Sequence, residues 1–463
     1  MTEQQTGFTL PRKVSILGAG KSGMAAARYL SKRNIDIFVS DTCSMKDLDF
    51  RLAANELAHV PHEAQEHTEK VLVADLIVLS PGIAADIPLL QTARKKGIAV
   101  WSEIELAYRV CKPPIVAVTG STGKSTTVGL LHSMVQKSDR QSVLAGNIGF
   151  PAISQLPKLP PDGLGIVEMS SFQLETIVAF KPKIAAITNI LKNHLDRYRS
   201  EKEYFSAKKR IIMNMGPDDY LLLNLHDVKL RRWAEDLGSK VQVVYFGDKP
   251  VAGDCCWIDG DDIWCVLDGT RAVAGSLKQM QLSGNHNRIN ACAAALMAHL
   301  SGISPNAVSE GIAAFGGLEH RMEFVAEKNG IAYYNDSKST TAESIREAVG
   351  AFGNRRIYLI AGGKDKGCDF SVVNKAVQAH VKKVLTIGEA SRRIIQTWSN
   401  LTLVEKSPTL EEAVRMASQE AQAGDVVILS PGCSSFDMFC GFEERGRVFK
   451  DAVLTIRENA ADA

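Results

Sequence analysis

IVAVTGSTGKST, residues 115–126, runs from an apolar strand through a glycine-rich loop into the start of a helix. Glycines let backbone N–H groups approach phosphate oxygens, and a helix N-terminus adds positive partial charge. Lys124 can neutralise the β- and γ-phosphates of a nucleotide, and Ser125 can bind Mg²⁺. The stretch therefore predicts a loop that binds ATP. The predicted loop residues are Gly120, Ser121, Thr122, Gly123, Lys124, Ser125 and Thr126.

The spacing of this loop is informative. Only Ser121 and Thr122 separate its two glycines, whereas the nucleotide-hydrolase loop G-x-x-x-x-G-K-[ST] has four residues there. The shorter form resembles the loop of the Mur ligase and folylpolyglutamate synthetase superfamily. The alternative is a chance glycine turn in a βα unit, and the Lys-Ser-Thr run that follows directly argues against it. The resemblance implies an ATP-dependent ligase of cell-wall synthesis.

Apolar runs alternate with helical patterns along the chain, which predicts βαβ units and mostly parallel sheets. The predicted strands form three series: residues 14–17, 35–39, 76–79 and 98–100; 115–118, 164–167 and 184–187; and 331–334, 357–360, 384–387 and 426–429. Residues 241–282 are turn-rich, which predicts an antiparallel addition to the second series. The predicted fold class is α/β with three domains, residues 1–102, 103–317 and 318–463. The resemblance implies a Rossmann-like UDP-binding domain, a central P-loop ATPase domain with a mostly parallel sheet, and a C-terminal Rossmann-like domain that binds the amino acid.

Composition excludes several classes of function. Lysine and arginine exceed aspartate and glutamate by only two, 54 against 52, so no overall field favours nucleic acid or an anionic membrane. The N-terminal residues are polar, and no apolar run approaches the ~18 residues of a membrane span. The nine cysteines follow no disulfide or zinc pattern. We expect a cytoplasmic protein with reduced thiols, small-molecule substrates and no membrane insertion, and we expect a monomer.

The first domain carries a second glycine-rich loop, GAGKSG at residues 18–23, and Asp41 ends the next predicted strand. This pattern is typical of dinucleotide binding, and NAD is one interpretation. The pattern requires only a diphosphate at a helix N-terminus and a hydroxyl partner for the aspartate, so UDP also fits. The family resemblance favours UDP. It implies substrate contacts from Gly18, Gly20, Lys21, Ser22, Asp41, Thr42, Ser80, Pro81, Gly82 and Asn147.

Candidate metal ligands follow the strands beside the ATP loop, because open α/β sheets bind ligands at the carboxyl ends of their strands. Taken alone, Glu168 and His194 are ordinary loop residues. The resemblance implies two Mg²⁺ ions, held by Ser125, Glu168, His194 and Lys208, with Lys208 carbamylated by CO₂. Lys209 is the alternative lysine, and without the resemblance this basic cluster is a solvated helix face.

Further residues are implied to act on ATP. Arg321 is a candidate clamp on the transferring phosphoryl group. Asp336 matches a ribose ligand, and Asn287 matches an adenine contact, with the N-cap of its own helix as the alternative. The implied catalytic residues are Lys124, His194, Lys208 and Arg321.

Three passages of the third domain, at residues 335–338, 362–370 and 430–446, resemble family members that add D-glutamate. They imply that Thr340, Lys366, Ser435, Phe436 and Phe442 hold its two carboxylates. Without the resemblance, Lys366 would be interpreted as a solvated loop lysine, Ser435 as a turn residue, and Phe436 and Phe442 as core aromatics. The expected reaction joins D-glutamate to UDP-N-acetylmuramoyl-L-alanine through an acyl phosphate. The alternatives are another muramyl ligase, a folylpolyglutamate synthetase, an NAD dehydrogenase, or a regulatory protein that uses the loop as a switch.

Overall fold

The chain was analysed as a computed structural model that describes residues 9–191, 198, 200–282, 284–365 and 367–457. It forms two compact units, Met1–Phe315 and Gly316–Ala463. The first unit contains two sheets and the second contains one. The three predicted series of strands correspond to these three sheets, so the α/β fold class is confirmed.

The first sheet has five parallel strands in the order β3-β2-β1-β4-β5. Its strands are β1 (Lys13–Leu17), β2 (Asp36–Ser40), β3 (His62–Glu63), β4 (Leu76–Leu79) and β5 (Ala99–Ser102), and its helices are α1 (Lys21–Ser31), α2 (Met45–Ala54), α3 (Pro88–Lys95) and α4 (Glu103–Val110). All of β4 is buried, as expected for a parallel strand covered on both faces. The predicted domain border at 102/103 lies between β5 and α4, inside the first compact unit.

The second sheet has nine strands in the order β14-β13-β12-β11-β10-β9-β6-β8-β7. Its strands are β6 (Ile115–Thr119), β7 (Ser142–Gly146), β8 (Leu164–Glu168), β9 (Ile184–Ile187), β10 (Tyr220–Asn224), β11 (Gln242–Gly247), β12 (Cys255–Asp259), β13 (Asp262–Leu267) and β14 (Thr270–Ser276). Its helices are α5 (Lys124–Val135), α6 (Ala152–Gln155), α7 (Ser171–Leu174), α8 (Glu201–Lys209), α9 (Val228–Glu235), α10 (Asn285–Leu300) and α11 (Pro305–Ala314). Because β6 lies between β8 and β9, the ends of those two strands flank the loop that follows β6.

The antiparallel addition predicted for residues 241–282 is partly confirmed. The last two strands, β13 and β14, run antiparallel to their neighbours. The prediction is wrong for β11, which pairs in parallel with both β10 and β12. Buried residues on β11, such as Phe246, extend the core of the parallel sheet, and the turn-rich pattern begins only after this strand.

The second unit contains a six-stranded sheet in the order β15-β16-β20-β17-β18-β19. Its strands are β15 (Glu323–Lys328), β16 (Ile331–Asn335), β17 (Ile357–Gly362), β18 (Val381–Ile387), β19 (Leu403–Lys406) and β20 (Val426–Leu429), and its helices are α12 (Ala342–Gly350), α13 (Asn374–His380), α14 (Ser391–Trp398), α15 (Leu410–Glu420) and α16 (Phe442–Leu454). Only β15 is antiparallel, joined to β16 by Asn329-Gly330, both with positive φ as a tight hairpin turn requires.

Two predictions from composition can be compared with the fold. All nine cysteines are free thiols, and most are buried packing residues, as predicted. In the described part of the chain, no helix is both long and apolar enough to cross a membrane.

Candidate active site

The predicted ATP loop joins β6 to α5 as the sequence indicates. Gly120 has a φ of +143°, and Gly123 has a φ of +79° at the N-cap of α5. A side chain at Gly120 would clash with the Thr188 hydroxyl, and one at Gly123 would clash with the Asn290 amide. Both glycines are therefore required by conformation and by space.

Lys124 and Ser125 begin α5 directly after the loop. The Nζ atom of Lys124 donates to the carbonyl oxygens of Gly120 and Ser121, at 3.0 and 2.9 Å. Ser125 is buried at the base of the loop. An ammonium folded over its own loop is close to any phosphate that the loop binds, so this arrangement fits a triphosphate site.

Two polar residues that the sequence analysis missed hold the loop from β9. The backbone N–H of Thr122 donates to Asn189 Oδ1 at 3.0 Å, and Thr188 Oγ1 donates to the Thr122 carbonyl at 2.6 Å. Thr188 and Asn189 directly follow β9, the strand next to β6. Their position after a predicted neighbouring strand was the signal that could have found them.

Glu168 ends β8 on the other side of the loop and is 1% exposed. Its Oε1 atom accepts a hydrogen bond from Asn147 Nδ2 at 2.7 Å. Its Oε2 atom is buried and has no hydrogen-bond partner among the described residues. A buried carboxylate oxygen without a protein donor fits a cation site, because Mg²⁺ prefers oxygen ligands.

The other predicted ligands include one residue that cannot be placed. His194 lies outside the described residues, as does the neighbouring Asn193. Within the described ranges, no three His, Cys, Asp or Glu side chains form a metal-binding group. Of the predicted ligands, Glu168 and the Ser125 hydroxyl therefore offer the oxygen atoms that Mg²⁺ prefers.

Helix α8 points one of its two adjacent lysines at the loop. Lys208 is 2% exposed, and its Nζ atom donates to the Gly120 carbonyl at 2.8 Å and to Thr119 Oγ1 at 3.3 Å. Burial, together with the charge of Lys124, lowers the pKa of Lys208 to about 6. Lys209 instead lies over the Phe205 ring, 4.3 Å from its centroid. The structure thus brings together Lys124, Lys208 and Glu168 and separates Lys209 from them.

The predicted UDP residues line one cavity of about 330 Å³ in the first sheet. Nine of the ten predicted residues contribute: Gly18, Gly20, Lys21, Ser22, Asp41, Thr42, Ser80, Pro81 and Gly82. The tenth, Asn147, follows β7 and contacts Glu168 instead. Three lining residues were missed, namely Arg51, His67 and Ile83.

Local hydrogen bonds shape the floor of this cavity. Gly18 has a φ of +92°, and its carbonyl accepts from Ser80 Oγ at 2.9 Å. The two carboxylate oxygens of Asp41 accept the backbone N–H groups of Ala19 at 2.5 Å and Cys43 at 2.8 Å. Burial alone would raise the pKa of Asp41, but these hydrogen bonds and Arg51 lower it, so the carboxylate stays charged. The aspartate fixes the glycine loop that faces the cavity.

In the second unit, Arg321 lies just before the β15-β16 hairpin and Asp336 lies just after it. Arg321 is exposed, between His320 and Met322, which have φ values of +65° and +45°. Asp336 is 3% exposed and accepts hydrogen bonds from Ser430 Oγ at 2.9 Å and from the Met322 N–H at 3.2 Å. Burial raises the pKa of Asp336. The carboxylate therefore organises the turn that carries Arg321.

Three of the predicted D-glutamate residues lie in the loops after β16 and β20, namely Thr340, Ser435 and Phe436, and Phe442 begins α16. Ser435 is buried, whereas Phe436 is 67% exposed, so the core-aromatic interpretation is wrong for Phe436. The carbonyl of Phe442 accepts from Ser337 Oγ at 2.8 Å, and its ring packs edge-on against His320. Thr340 is exposed. Lys366 lies outside the described residues.

Asn287 lies in the first turn of α10. The N-cap of this helix is Gly284, whose carbonyl accepts the Asn287 N–H at 3.0 Å. The alternative that Asn287 is the N-cap is therefore wrong, because the helix begins at Asn285, two residues earlier. The adenine contact implied for Asn287 stays a prediction.

Comparison with known proteins identifies relatives of the whole chain. Three family models match it: the Mur ligase MurD-like N-terminal domain over residues 12–102, the Mur ligase middle domain over 118–298, and the Mur ligase glutamate ligase domain over 320–433. The UDP-N-acetylmuramoylalanine–D-glutamate ligase of Thermoanaerobacter sp. (strain X514) is 38% identical over 96% of this chain and 99% of its own length. The enzyme of that name from Acidobacterium capsulatum is 39% identical over 97% of this chain and 98% of its own length.

Solved structures share the fold at lower sequence identity. UDP-N-acetylmuramate–alanine ligase from Thermotoga maritima superposes with a TM-score of 0.56 at 18% identity, over 96% of this chain and 99% of that one. A second ligase from the same organism, solved with ADP, gives 0.55 at 15% identity, over 90% and 95%. These similarities support the fold of the described chain from end to end.

Proposed function

Because this chain belongs to the Mur ligase family and is a ligase, we propose that it joins D-glutamate to UDP-N-acetylmuramoyl-L-alanine with the conversion of ATP to ADP and phosphate. The reaction makes a peptidoglycan precursor. The observation that carries the proposal is the convergence of Lys124, Lys208 and a Glu168 oxygen, which has no partner among the described residues, beside a glycine-rich loop. The names of the similar proteins supply the amino acid, D-glutamate.

The UDP moiety of the substrate occupies the cavity at the first sheet. The diphosphate lies against the N–H groups of the Gly18–Gly23 loop at the start of α1, where the helix dipole favours negative charge. Lys21 and Arg51 add positive charge at the same cavity. The glycan and the L-alanine carboxylate then extend toward Asn147 and Glu168 in the same compact unit.

The first chemical step forms an acyl phosphate. A carboxylate oxygen of L-alanine attacks the γ-phosphorus of ATP, an O–P bond forms, and the bond to the β–γ bridging oxygen breaks to release ADP. Lys124 exchanges its two loop carbonyl partners for phosphate oxygens and so follows the transferring group. Mg²⁺, when bound by Ser125, Glu168, His194 and Lys208, neutralises phosphate charge.

The second step forms the amide. The amine of D-glutamate attacks the activated carbonyl, and a tetrahedral intermediate collapses with loss of phosphate and a proton. We assign the two D-glutamate carboxylates to Thr340, Lys366, Ser435, Phe436 and Phe442, and the clamp on the departing phosphate to Arg321. Asn287 and Asp336 are assigned to the adenosine of ATP.

Lys208 is assigned a carbamate. A neutral amine attacks CO₂, a C–N bond forms and a proton is released, which converts a cationic side chain into an oxygen ligand. Burial and a pKa of about 6 support this role for Lys208, and the position of Lys209 over an aromatic ring supports its exclusion.

We further propose a cytoplasmic monomer with functional domains at residues 1–102, 103–317 and 318–463.

The test is phosphate release in the presence of ATP, Mg²⁺ and UDP-N-acetylmuramoyl-L-alanine. D-glutamate is compared with L-glutamate, L-lysine, meso-diaminopimelate and no amino acid. The Lys124→Ala variant should abolish release, and Lys209→Ala is the matched control because its cation lies outside the loop. Release that requires D-glutamate supports the proposal.

Other outcomes would contradict it in different ways. Release with another amino acid, or only with a folate acceptor, would overturn the substrate and keep the ligase chemistry. No release with any combination would favour the regulatory alternative.

A further inference from the structure

The carbonyl oxygens at the start of the ATP loop accept hydrogen bonds from two lysines. Lys124 Nζ donates to the carbonyls of Gly120 and Ser121, at 3.0 and 2.9 Å. Lys208 Nζ also donates to the carbonyl of Gly120, at 2.8 Å. A carbonyl oxygen that faces a phosphate oxygen repels it, because both carry negative charge, so a loop that binds phosphate must keep its carbonyls turned toward donors.

The two lysines cannot hold these carbonyls throughout the proposed reaction. Lys124 leaves its loop partners for phosphate oxygens when ATP binds. Carbamylation converts the ammonium of Lys208 into an anionic group, which no longer attracts the Gly120 carbonyl. The loop therefore needs other hydrogen bonds, from groups that the reaction does not use.

Two residues that follow β9 supply such hydrogen bonds to Thr122. Thr188 Oγ1 donates to the Thr122 carbonyl at 2.6 Å, and Asn189 Nδ2 donates to it at 3.3 Å. Asn189 Oδ1 accepts the Thr122 N–H at 3.0 Å, and the Asn189 backbone carbonyl accepts the Ser121 N–H at 3.0 Å. Because a backbone N–H can only donate, the oxygen of the Asn189 amide must face it. One side chain thus holds both backbone polar groups of Thr122.

The end of β9 is itself held in place by the sheet. The Thr188 N–H donates to the Thr119 carbonyl at 3.0 Å, where β9 pairs with β6. The Thr188 carbonyl accepts from Asn224 Nδ2 at 2.9 Å, at the end of β10. The next N–H along, that of Ile190, donates to Asp227 Oδ2 at 2.6 Å. Thr188 and Asn189 are therefore a fixed support for the loop, and neither carries a charge that phosphate would attract.

We propose that Asn189, assisted by Thr188, is a positioning residue that keeps the ATP loop in its phosphate-binding conformation once Lys124 has turned to the phosphates. The inference rests on the proposed ATP-dependent function. Without this support, the loop is in the binding conformation for only a fraction of the time, and the apparent dissociation constant rises by the inverse of that fraction. The effect should fall on ATP and leave the UDP-linked substrate unaffected, since the UDP cavity lies at the first sheet.

The experiment measures the dissociation constant of Mg²⁺–AMPPNP, a non-hydrolysable ATP analogue, and the KM values for ATP and UDP-N-acetylmuramoyl-L-alanine. Asn189→Ala removes the donor and the acceptor and should raise the dissociation constant and the KM for ATP about tenfold. Thr188→Val removes one of the two donors to the Thr122 carbonyl and should raise both about threefold. Asn189→Asp keeps the acceptor but turns a second oxygen toward that carbonyl, and its effect should exceed that of Asn189→Ala. All three variants should keep the wild-type KM for the UDP-linked substrate.

Asn214→Asp is the matched control. Asn214 is a half-buried asparagine whose Nδ2 atom donates to the carbonyls of Val178 and Phe180, at 2.9 and 3.0 Å. These carbonyls precede β9, at the opposite end of the strand from the ATP loop. The substitution turns a carboxylate oxygen toward carbonyls, as Asn189→Asp does, so it imposes a similar structural cost. It should keep the wild-type affinity for Mg²⁺–AMPPNP and both KM values.

Several outcomes would overturn the inference. Wild-type affinity and KM for ATP in Asn189→Ala would mean that the lysines alone hold the loop. Equal increases in the two KM values, or the same loss of affinity in Asn214→Asp, would mean a merely structural role. If the wild type binds the analogue but releases no phosphate with D-glutamate, the proposed function fails, and the affinities of the variants still decide this inference. If the wild type does not bind the analogue, the inference fails with the ATP site.

Discussion

The Glu168→Gln substitution distinguishes a role of Glu168 in ligand binding from a role in the stability of the fold. The amide carbonyl can still accept the hydrogen bond from Asn147 that Oε1 now accepts at 2.7 Å. The group that is replaced, Oε2, makes no hydrogen bond to any described residue. Without Mg²⁺, the free energy of unfolding should therefore stay within about 1 kcal/mol of the wild-type value, because no protein hydrogen bond is lost.

The stability that the folded protein gains from binding Mg²⁺–ATP should respond very differently to this substitution. At a Mg²⁺–ATP concentration of about 100 times the dissociation constant, the wild type gains about 2.7 kcal/mol from binding. Loss of a charged metal ligand should weaken binding by about 100-fold or more, which leaves a gain of only about 0.4 kcal/mol. The expected difference is about 2.3 kcal/mol, and turnover should fall by about 100-fold or more.

The assay is urea unfolding of both proteins, first with EDTA and then with Mg²⁺–ATP, together with phosphate release. Glu103→Gln is the matched control. Glu103 is 2% exposed, accepts one backbone hydrogen bond from Ile153, and has an Oε2 atom without a described partner, but it lies in α4 away from the loop. This control should keep the full gain from Mg²⁺–ATP.

Two results would refute the reasoning. One is a Glu168→Gln protein that keeps both the binding gain and its turnover, since the orphan oxygen would then have no role toward a cation. The other is a loss of more than about 3 kcal/mol in EDTA, which would make Glu168 a structural residue.

Three further predictions concern buried ionisable groups in the first unit. Lys208→Met should lower turnover by about 100-fold or more in a phosphate-release assay, whereas Lys209→Met, one residue along α8, should change it by less than about threefold. Burial raises the pKa of Glu103 to about 7, above its ordinary value, so the folded state holds the proton more tightly. Stability should therefore fall by about 3 kcal/mol as pH rises from about 4.5 to 7, and urea unfolding of Glu103→Gln should lack this slope. Glu105 is fully buried and accepts the N–H groups of Val178, Ala179 and Phe180; Glu105→Gln turns an amide donor toward them and should cost about 3 kcal/mol or more in urea unfolding at pH 7.

Residues at strand ends were predictable because the sheets are parallel. Once β1 and β6 were recognised by their glycine loops, the residues after neighbouring strands had to meet at the same edge. Glu168 was found in this way, whereas Asp41 came from the dinucleotide-type pattern and Ser80 from the family resemblance. Nine of the ten residues predicted to contact UDP line one cavity. The same rule missed His67, because β3 has only two residues, His62–Glu63, and no apolar run announces it.

The choice between Lys208 and Lys209 contained a signal that spacing alone could have used. Tyr204 and Lys208 lie four residues apart, Ala207 and Ile211 also lie four residues apart, and all four are buried. A helical period of 3.6 places Lys208 on this stripe and Lys209 off it. A lysine on an otherwise apolar stripe is a buried ionisable group, which already suggests a functional role.

Contacts across long sequence separations could not be read in this way. Asn147 resembles a substrate residue, yet its amide donates to Glu168, 21 residues later, because β7 and β8 are paired in register from Ser142–Leu164 to Gly146–Glu168. That register depends on how the two strands pack and on the turn between them. Edge strands such as β19, mostly exposed, lack the apolar run that marked the central strands.

The two proposed nucleotide sites of the first unit share one plan, and they differ in the hydrogen bonds that their acidic residues accept. In each, a glycine with positive φ follows a central strand and a helix N-terminus follows the glycine. An acidic residue ends the adjacent strand at the ATP loop, as Glu168, or directly follows it at the other site, as Asp41. Both oxygens of Asp41 already accept hydrogen bonds from backbone N–H groups, so this carboxylate shapes the loop that is proposed to hold a diphosphate. Glu168 keeps one buried oxygen without a donor among the described residues, beside two lysines that reach the same carbonyl of Gly120. A carboxylate whose two oxygens both accept hydrogen bonds fits a site that only binds a ligand. A carboxylate with one oxygen that lacks a described donor fits a site where a cation and a transferring phosphate supply the missing interaction.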